Sequence, residues 1–213
     1  MRSRATSAHA ACRELFERSA IKTVQFGCPD IDGLFRGKRV PAQYFLDSVA
    51  HKGSMIADIL FGWDVTDELM DGLVHSGWHT GYADLVLMPD LSTVRAVPWE
   101  PGTATAVCDV LTPEGAPVEI APRRVLQRQI ERAAGLGHAF SIGYELEFYL
   151  YRETPYSVIE KDYANLVPST PGLATYSLHR LAMIDDVIGD RDHLGLVLDH
   201  EHGVALVSEP QQQ

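Results

Sequence analysis

Two glutamates, Glu145 and Glu147, are the strongest candidates in this sequence for a chemical role. They lie in the range 143–150, where polar and apolar residues alternate as they do in a strand. Side chains two residues apart in a strand point to the same face, so the two carboxylates are expected to lie side by side. Such a pair is tolerated in a dry site when cations neutralise it, and Mg²⁺ favours oxygen ligands. The alternative is a half-buried strand whose polar face is in water.

Local sequence patterns predict the secondary structure around this pair. Short apolar runs bounded by Gly, Pro and Asp predict strands at 23–26, 34–36, 83–88, 93–97, 104–111, 140–150 and 204–207. Helical spacing predicts helices near 11–19, 42–50, 122–135 and 177–198. The range 53–80, rich in Asp, Gly and Trp, is expected to be a long loop with short elements. A Pro and Gly cluster at 98–102 predicts a boundary between domains 1–102 and 103–213.

Composition and charge narrow the class of protein. The chain has 213 residues, of which 46% are hydrophobic and 22% charged, and its formal net charge is −11. This charge disfavours nucleic-acid and membrane partners, because both present phosphate groups that are bound by clustered Lys and Arg. The three cysteines match no zinc or disulfide spacing, and the sequence lacks a signal segment and a long apolar run. We therefore expect free thiols and a cytoplasmic location.

A basic stripe runs along the predicted helix 122–135. It consists of Arg123, Arg124, Arg128 and Arg132, with Glu131 nearby. Opposite charges interspersed on one helix are typical of a salt-bridged face, which we favour over an anion-binding site.

Several short motifs occur in a fixed order along the chain. They are Arg-Gly-Lys at 36–38, Gly-Tyr-Ala-Asp at 81–84, Pro-Asp-Leu-Ser-Thr at 89–93, Val-Pro-Trp at 97–99, Cys-Asp at 108–109, Ala-Pro-Arg at 121–123 and Gly-Tyr-Glu-Leu-Glu-Phe at 143–148. In this order they resemble the glutamine synthetase family, especially the branch that joins amines to the γ-carboxyl of glutamate. The resemblance extends from about Thr23 to the C-terminus.

The resemblance implies a fold and an activity. The fold is α+β, with an N-terminal β-grasp-like domain over 1–102 and the first part of a catalytic α/β domain with antiparallel strands over 103–213. The activity is that of an ATP-dependent ligase with two Mg²⁺ or Mn²⁺ ions, which neutralise charge on the transferred phosphoryl group. Glutamate and ammonia or an amine are the implied substrates. Family members form rings, so a homo-oligomer is expected.

The resemblance also assigns candidate site residues. Glu145 resembles a ligand of one metal and Glu147 a ligand of the other. The strand that precedes Glu209 is similar to the one that carries the family's next metal glutamate, so Glu209 is a third candidate; the alternative is a solvated glutamate. Asp64 resembles the aspartate of the family's amine or ammonium pocket, and its alternative role is to cap its own loop.

The sequence departs from the family after Glu209. Only Pro210 and three glutamines follow it, whereas family members continue to further metal ligands and to the arginines that bind ATP and glutamate. We therefore expect the lone chain to be an incomplete ligase, because positioned groups are required for phosphoryl transfer. The alternative is a non-catalytic subunit that joins a full-length ring.

Overall fold

A computed structural model of the protein describes residues 2–143 and 151–169. The chain divides into two compact units, Met1–Ser141 and Ile142–Gln213. This division differs from the predicted boundary between residues 102 and 103. The physical reason is that Thr103–Leu111 is a strand in the middle of the first unit's sheet, hydrogen-bonded to strands that come before the boundary. The two-domain assignment itself stays a prediction.

Six strands form one mixed sheet in the first unit. They are β1 (Thr23–Pro29), β2 (Phe35–Pro41), β3 (Ser54–Ala57), β4 (Asp84–Pro89), β5 (Arg95–Ala96) and β6 (Thr103–Leu111). The order across the sheet is β2-β1-β6-β4-β3, and β5 pairs with β6. β1 and β6 run parallel, and the other pairs are antiparallel. The predicted mixture of strands and helices is thereby confirmed, whereas the β-grasp assignment stays a prediction.

The β1–β2 hairpin is built around one buried carboxylate. Asp30 is 1% exposed, and its Oδ1 accepts hydrogen bonds from the N–H groups of Asp32 and Leu34 at 3.0 and 2.9 Å. These bonds fix the turn that joins β1 to β2. β2 is longer than the predicted strand at 34–36, because the chain continues in register with β1 instead of turning.

Helices cover one face of the sheet. The first is α1 (Arg2–Arg18), which starts earlier than the predicted helix at 11–19. The second is a continuous helical segment made of α2 (Ala42–Tyr44), a π-helical stretch (Phe45–Val49) and α3 (Ala50–Lys52). Phe45 packs against Phe16 of α1 and Phe26 of β1, with ring centroids 6.1 and 5.8 Å apart. Alternate residues of β6, which include Ala104, Ala106, Cys108 and Val110, complete this buried layer.

Two further α-helices are described, together with short 3-10 helices at Asp58–Phe61 and Leu91–Thr93. α4 (Pro122–Gly135) starts at the predicted proline. Proline suits a first helical turn, because an N–H group at that position would have no partner within the helix. α5 (Pro155–Glu160) lies in the second unit, and its first turn is capped by Thr154 and Ser157. No helix in the described ranges is both long and apolar enough to span a bilayer. The predicted helix at 177–198 and strand at 204–207 lie outside these ranges.

Candidate functional site

One of the four candidate site residues lies in the described part of the structure. It is Asp64, whereas Glu145, Glu147 and Glu209 lie outside the described residues. Within 2–143 and 151–169, no group of three or more His, Cys, Asp or Glu side chains is arranged to hold a metal ion. The metal centre therefore stays a prediction that rests on the three glutamates.

Asp64 lies in a tight hairpin of residues 62–70, which we call the acidic hairpin. A bridge between Trp63 and Leu69 closes its base. At the tip, the N–H of Asp64 donates to the carbonyl of Glu68 at 3.0 Å. The hairpin thus gives Asp64 a defined backbone turn within a stretch that the sequence predicts to be mostly loop.

The Asp64 carboxylate is ionised and caps its own turn. Its Oδ1 accepts the Thr66 hydroxyl and the Thr66 N–H, both at 2.8 Å, and the Glu68 N–H at 3.0 Å. These bonds, first the one from the Thr66 hydroxyl, lower the pKa of Asp64, and the charge of Arg36 lowers it further. The loop-capping alternative is therefore confirmed as a contact. All three bonds use one oxygen of the carboxylate, Oδ1.

Arg36 of β2 joins the acidic hairpin to the sheet. Its Nη1 donates to Asp67 Oδ1 at 2.5 Å, and its Nη2 donates to the backbone carbonyl of Asp64 at 2.9 Å. Its Nε donates to Asp30 Oδ2 at 2.5 Å, and its guanidinium carbon lies 5.1 Å from the ring centroid of Trp63. The bonds to Asp67 and Asp30 raise the pKa of Arg36, so this side chain stays charged. The sequence placed Arg36 only in a motif and did not predict these partners.

Three of the sequence motifs meet in one polar cluster beside the sheet. Arg123, in the first turn of α4, donates through Nε to Asp109 Oδ1 at 2.8 Å and through Nη2 to Asp90 Oδ2 at 2.5 Å. Gln127 also donates to Asp109 Oδ1, at 2.9 Å. Asp90 Oδ1 in turn accepts the N–H and hydroxyl of Ser92. These motif residues fix α4 against β6 and the end of β4.

The rest of the stripe on α4 shows the predicted salt bridges. Arg124 pairs with Glu119 at 3.4 Å and with Glu131 at 3.0 Å, and Arg128 pairs with Glu119 at 3.0 Å. The prediction of a salt-bridged face is thereby confirmed for Arg123, Arg124 and Arg128. Such pairs satisfy the arginines locally, which argues against an anion site there.

The three cysteines are free, as expected, and all three are buried. Burial raises the pKa of Cys12 and raises that of Cys28 to about 12. Burial raises the pKa of Cys108 as well. Thiols in this state are poor nucleophiles, so we assign them to the core and not to the site.

Comparison with known proteins identifies relatives that are similar to this chain in sequence. A glutamate–isopropylamine ligase from Pseudomonas sp is 40% identical over 198 residues, which cover 90% of this chain and 43% of that protein. The type-1 glutamine synthetase 2 of Dictyostelium discoideum is 37% identical over 159 residues, covering 74% of this chain and 30% of that protein. The chain therefore spans less than half the length of these relatives. No family model matches it.

A solved structure supports the fold. The structure titled apo GmaS without ligand matches with a TM-score of 0.56 at 22% identity, over 83% of this chain and 37% of that one. At this identity the likeness concerns the fold alone. Together with the ordered motifs and the two relatives, it leads to one conclusion: the chain belongs to the glutamine synthetase family.

Proposed function

We propose that the chain carries part of the active site of an ATP- and divalent-metal-dependent ligase that joins ammonia or an amine to the γ-carboxyl of glutamate. The observation that carries this proposal is its 40% identity to a glutamate–isopropylamine ligase over nearly its whole length. The 37% identity to a glutamine synthetase supports the same chemistry and leaves ammonia and amines open as acceptors.

The proposed reaction has two steps. The γ-carboxylate of glutamate attacks the terminal phosphorus of ATP, ADP leaves, and a γ-glutamyl phosphate forms. The nitrogen of ammonia or an amine then attacks the acyl carbon, phosphate leaves, and the nitrogen loses a proton. We propose Glu145, Glu147 and Glu209 as the carboxylates that hold Mg²⁺ or Mn²⁺, whose charge offsets that of the phosphoryl group in the first step.

Asp64 is our candidate for the ammonium or amine site. Its lowered pKa keeps the carboxylate charged, so it attracts an ammonium group. The same lowered pKa makes it a weak base. We therefore propose that Asp64 binds the acceptor in its ammonium form and does not itself remove the proton.

Several further assignments belong to this proposal. We propose a β-grasp-like domain over 1–102, a partial catalytic domain over 103–213, a homo-oligomer, and a cytoplasmic location. The fold likeness to the GmaS structure supports the α+β fold, whereas the boundary after residue 102 rests on the family resemblance. The ligase relatives and the acidic composition are compatible with a homo-oligomer and with a cytoplasmic location.

A chimera provides the direct test of the proposed reaction. The aligned 198 residues replace the matching segment of the Pseudomonas ligase. With ATP, Mg²⁺, glutamate and either isopropylamine or labelled ammonium, mass spectrometry is expected to find a γ-glutamyl product and an equal amount of ADP. Glu147→Gln in the chimera is expected to lower kcat by about 100-fold or more, because charge at the transferred phosphoryl group is then poorly neutralised.

Glu114→Gln is the matched control for this test. Glu114 is exposed in the turn that follows β6, so its substitution should leave product formation unchanged. A folded chimera that releases ADP equally without glutamate would contradict the proposal. So would one in which Glu147→Gln and Glu114→Gln have the same rate.

A further inference from the structure

We propose that Arg36 is a positioning residue, whose guanidinium holds the acidic hairpin against the sheet and thereby fixes the orientation of Asp64. Only the role of Asp64 in this statement rests on the proposed function. The hold of Arg36 on the hairpin is argued from contacts and is testable without catalysis.

The planar guanidinium matches the three acceptors around it. Arg36 uses Nε, Nη1 and Nη2 for three different residues, namely Asp30, Asp67 and Asp64. A guanidinium offers five N–H donors in a fixed plane, whereas an ammonium is a compact charge with three freely rotating donors. Lysine would keep the charge beside Asp30, but it would not span all three acceptors.

Arg36 is anchored to the sheet through its contact with Asp30. The Asp30 side chain is 0% exposed, and Arg36 is 15% exposed. One Asp30 oxygen is held by the N–H groups of the β1–β2 turn, and the other is held by Arg36. The guanidinium is therefore anchored at a fixed point before it reaches the hairpin.

Arg36 holds the acidic hairpin through several weak contacts that act together. The Asp67 side chain is 71% exposed, and an exposed ion pair contributes little on its own. Asp67 also has φ of 63°, a left-handed conformation that is unfavourable for a residue with a Cβ. The bond to the Asp64 carbonyl and the stacking of Arg36 over Trp63 add to the ion pair. Because all these contacts come from one side chain, loss of Arg36 removes them at once.

Hydrogen exchange on the full 213-residue chain tests the inference. Arg36→Lys is expected to speed amide exchange about tenfold in peptides that cover 62–70, because the hairpin then opens locally. Exchange in β1 and β6 should stay within about twofold, since local opening leaves the sheet intact. Emission from Trp63 should also change, and this change should vanish in a Trp63→Phe background.

Arg39→Lys is the matched control, since Arg39 lies on the same strand and grips Glu100 instead of the hairpin. It should leave exchange in 62–70 unchanged. Asp67→Asn serves as a second variant that keeps the Arg36–Asp30 pair, and it should raise hairpin exchange by less than Arg36→Lys does. Equal hairpin exchange in Arg36→Lys and Arg39→Lys would overturn the inference.

Calorimetry with isopropylammonium tests the link to Asp64. Arg36→Lys and Asp64→Asn should each weaken binding, and the double variant should be no weaker than Asp64→Asn alone. Additive losses would overturn the claim that Arg36 acts through Asp64. If the wild type takes up no amine, the proposed role of Asp64 fails, and hairpin exchange alone decides whether Arg36 positions the hairpin.

Discussion

At the level of single residues, Asp30 is bonded through both oxygens of its carboxylate. Its carboxylate is buried and accepts two N–H groups of its own turn together with Arg36. Asp30→Asn removes the charge that faces a largely buried guanidinium, and breaking such a pair costs about 3–5 kcal/mol. The expected result is a loss of this size in the free energy of unfolding, measured with urea.

Asp32→Asn is the control for Asp30→Asn. Asp32 is exposed in the same turn, and its substitution should change stability by less than about 0.5 kcal/mol. Indistinguishable urea midpoints for the two variants would show that the Asp30–Arg36 pair contributes nothing net.

Glu153 gives a prediction about pH. Its carboxylate accepts Lys161 Nζ at 2.5 Å, the Ser157 hydroxyl at 2.7 Å and the Val167 N–H at 2.8 Å. These bonds, first that from Lys161, lower its pKa from 4.5 to about 2. A lowered pKa in the folded state stabilises the protein above the unfolded value and loses that effect as the pH falls.

The measurement compares the wild type with Glu153→Gln between neutral pH and the acid range. The stability advantage of the wild type should be complete above pH 4.5 and should disappear as the pH falls toward about 2. Urea unfolding at a series of pH values measures this difference. Parallel profiles for the two proteins would contradict the assigned pKa.

At the scale of elements, β1 and β2 approach each other closely at a glycine pair. Gly27 and Gly37 lie opposite each other, and a Cβ on Gly37 would lie only 1.9 Å from the carbonyl oxygen of Phe26. Gly37→Ala must therefore push the strands apart, and overpacking of this kind costs about 1–3 kcal/mol. Thermal unfolding should show a lower Tm.

Gly135→Ala is the comparison for the glycine pair. Nothing lies within 4 Å of a Cβ at Gly135, and its φ is in the ordinary range. Alanine there should be neutral or stabilise by up to about 1 kcal/mol. A Gly37→Ala protein as stable as the wild type would mean that the strands can separate without cost.

The elements also show what local sequence predicts and what it does not. β1, β4, β6 and α4 follow from apolar runs and a helix-starting proline, since their signals are local. The far half of β2 was missed because an exposed edge strand of Gly, Lys and Arg lacks an apolar pattern. β3 was not predicted as a strand, because it is only four residues long and its pairing with β4 involves residues far away in the chain.

The candidate site divides in the same way. A turn-forming Asp at position 64 could be predicted, because side-chain capping involves residues two and four apart. The hydrogen bond from Arg36 to Asp67 joins residues that are 31 positions apart, which no local pattern reveals. The only sequence signal was that Arg36 belongs to a motif of the family.

For the whole molecule, the motifs that indicate the family report mainly on the fold. Arg36, Asp90, Asp109 and Arg123 are all held in polar contacts between elements of the first unit. They support membership of the glutamine synthetase family without demonstrating its chemistry. The proposed chemistry therefore depends on Glu145 and Glu147, which the described residues do not include.

Titration with Mn²⁺, followed by electron paramagnetic resonance of the free ion, shows whether these glutamates bind a metal ion. Carboxylates that share a strand face should bind Mn²⁺, and Glu145→Ala or Glu147→Ala should weaken binding about tenfold or more. Glu114→Ala, in an exposed turn, should bind as the wild type does. A wild-type chain that takes up no Mn²⁺, or glutamate variants that bind it unchanged, would contradict the account.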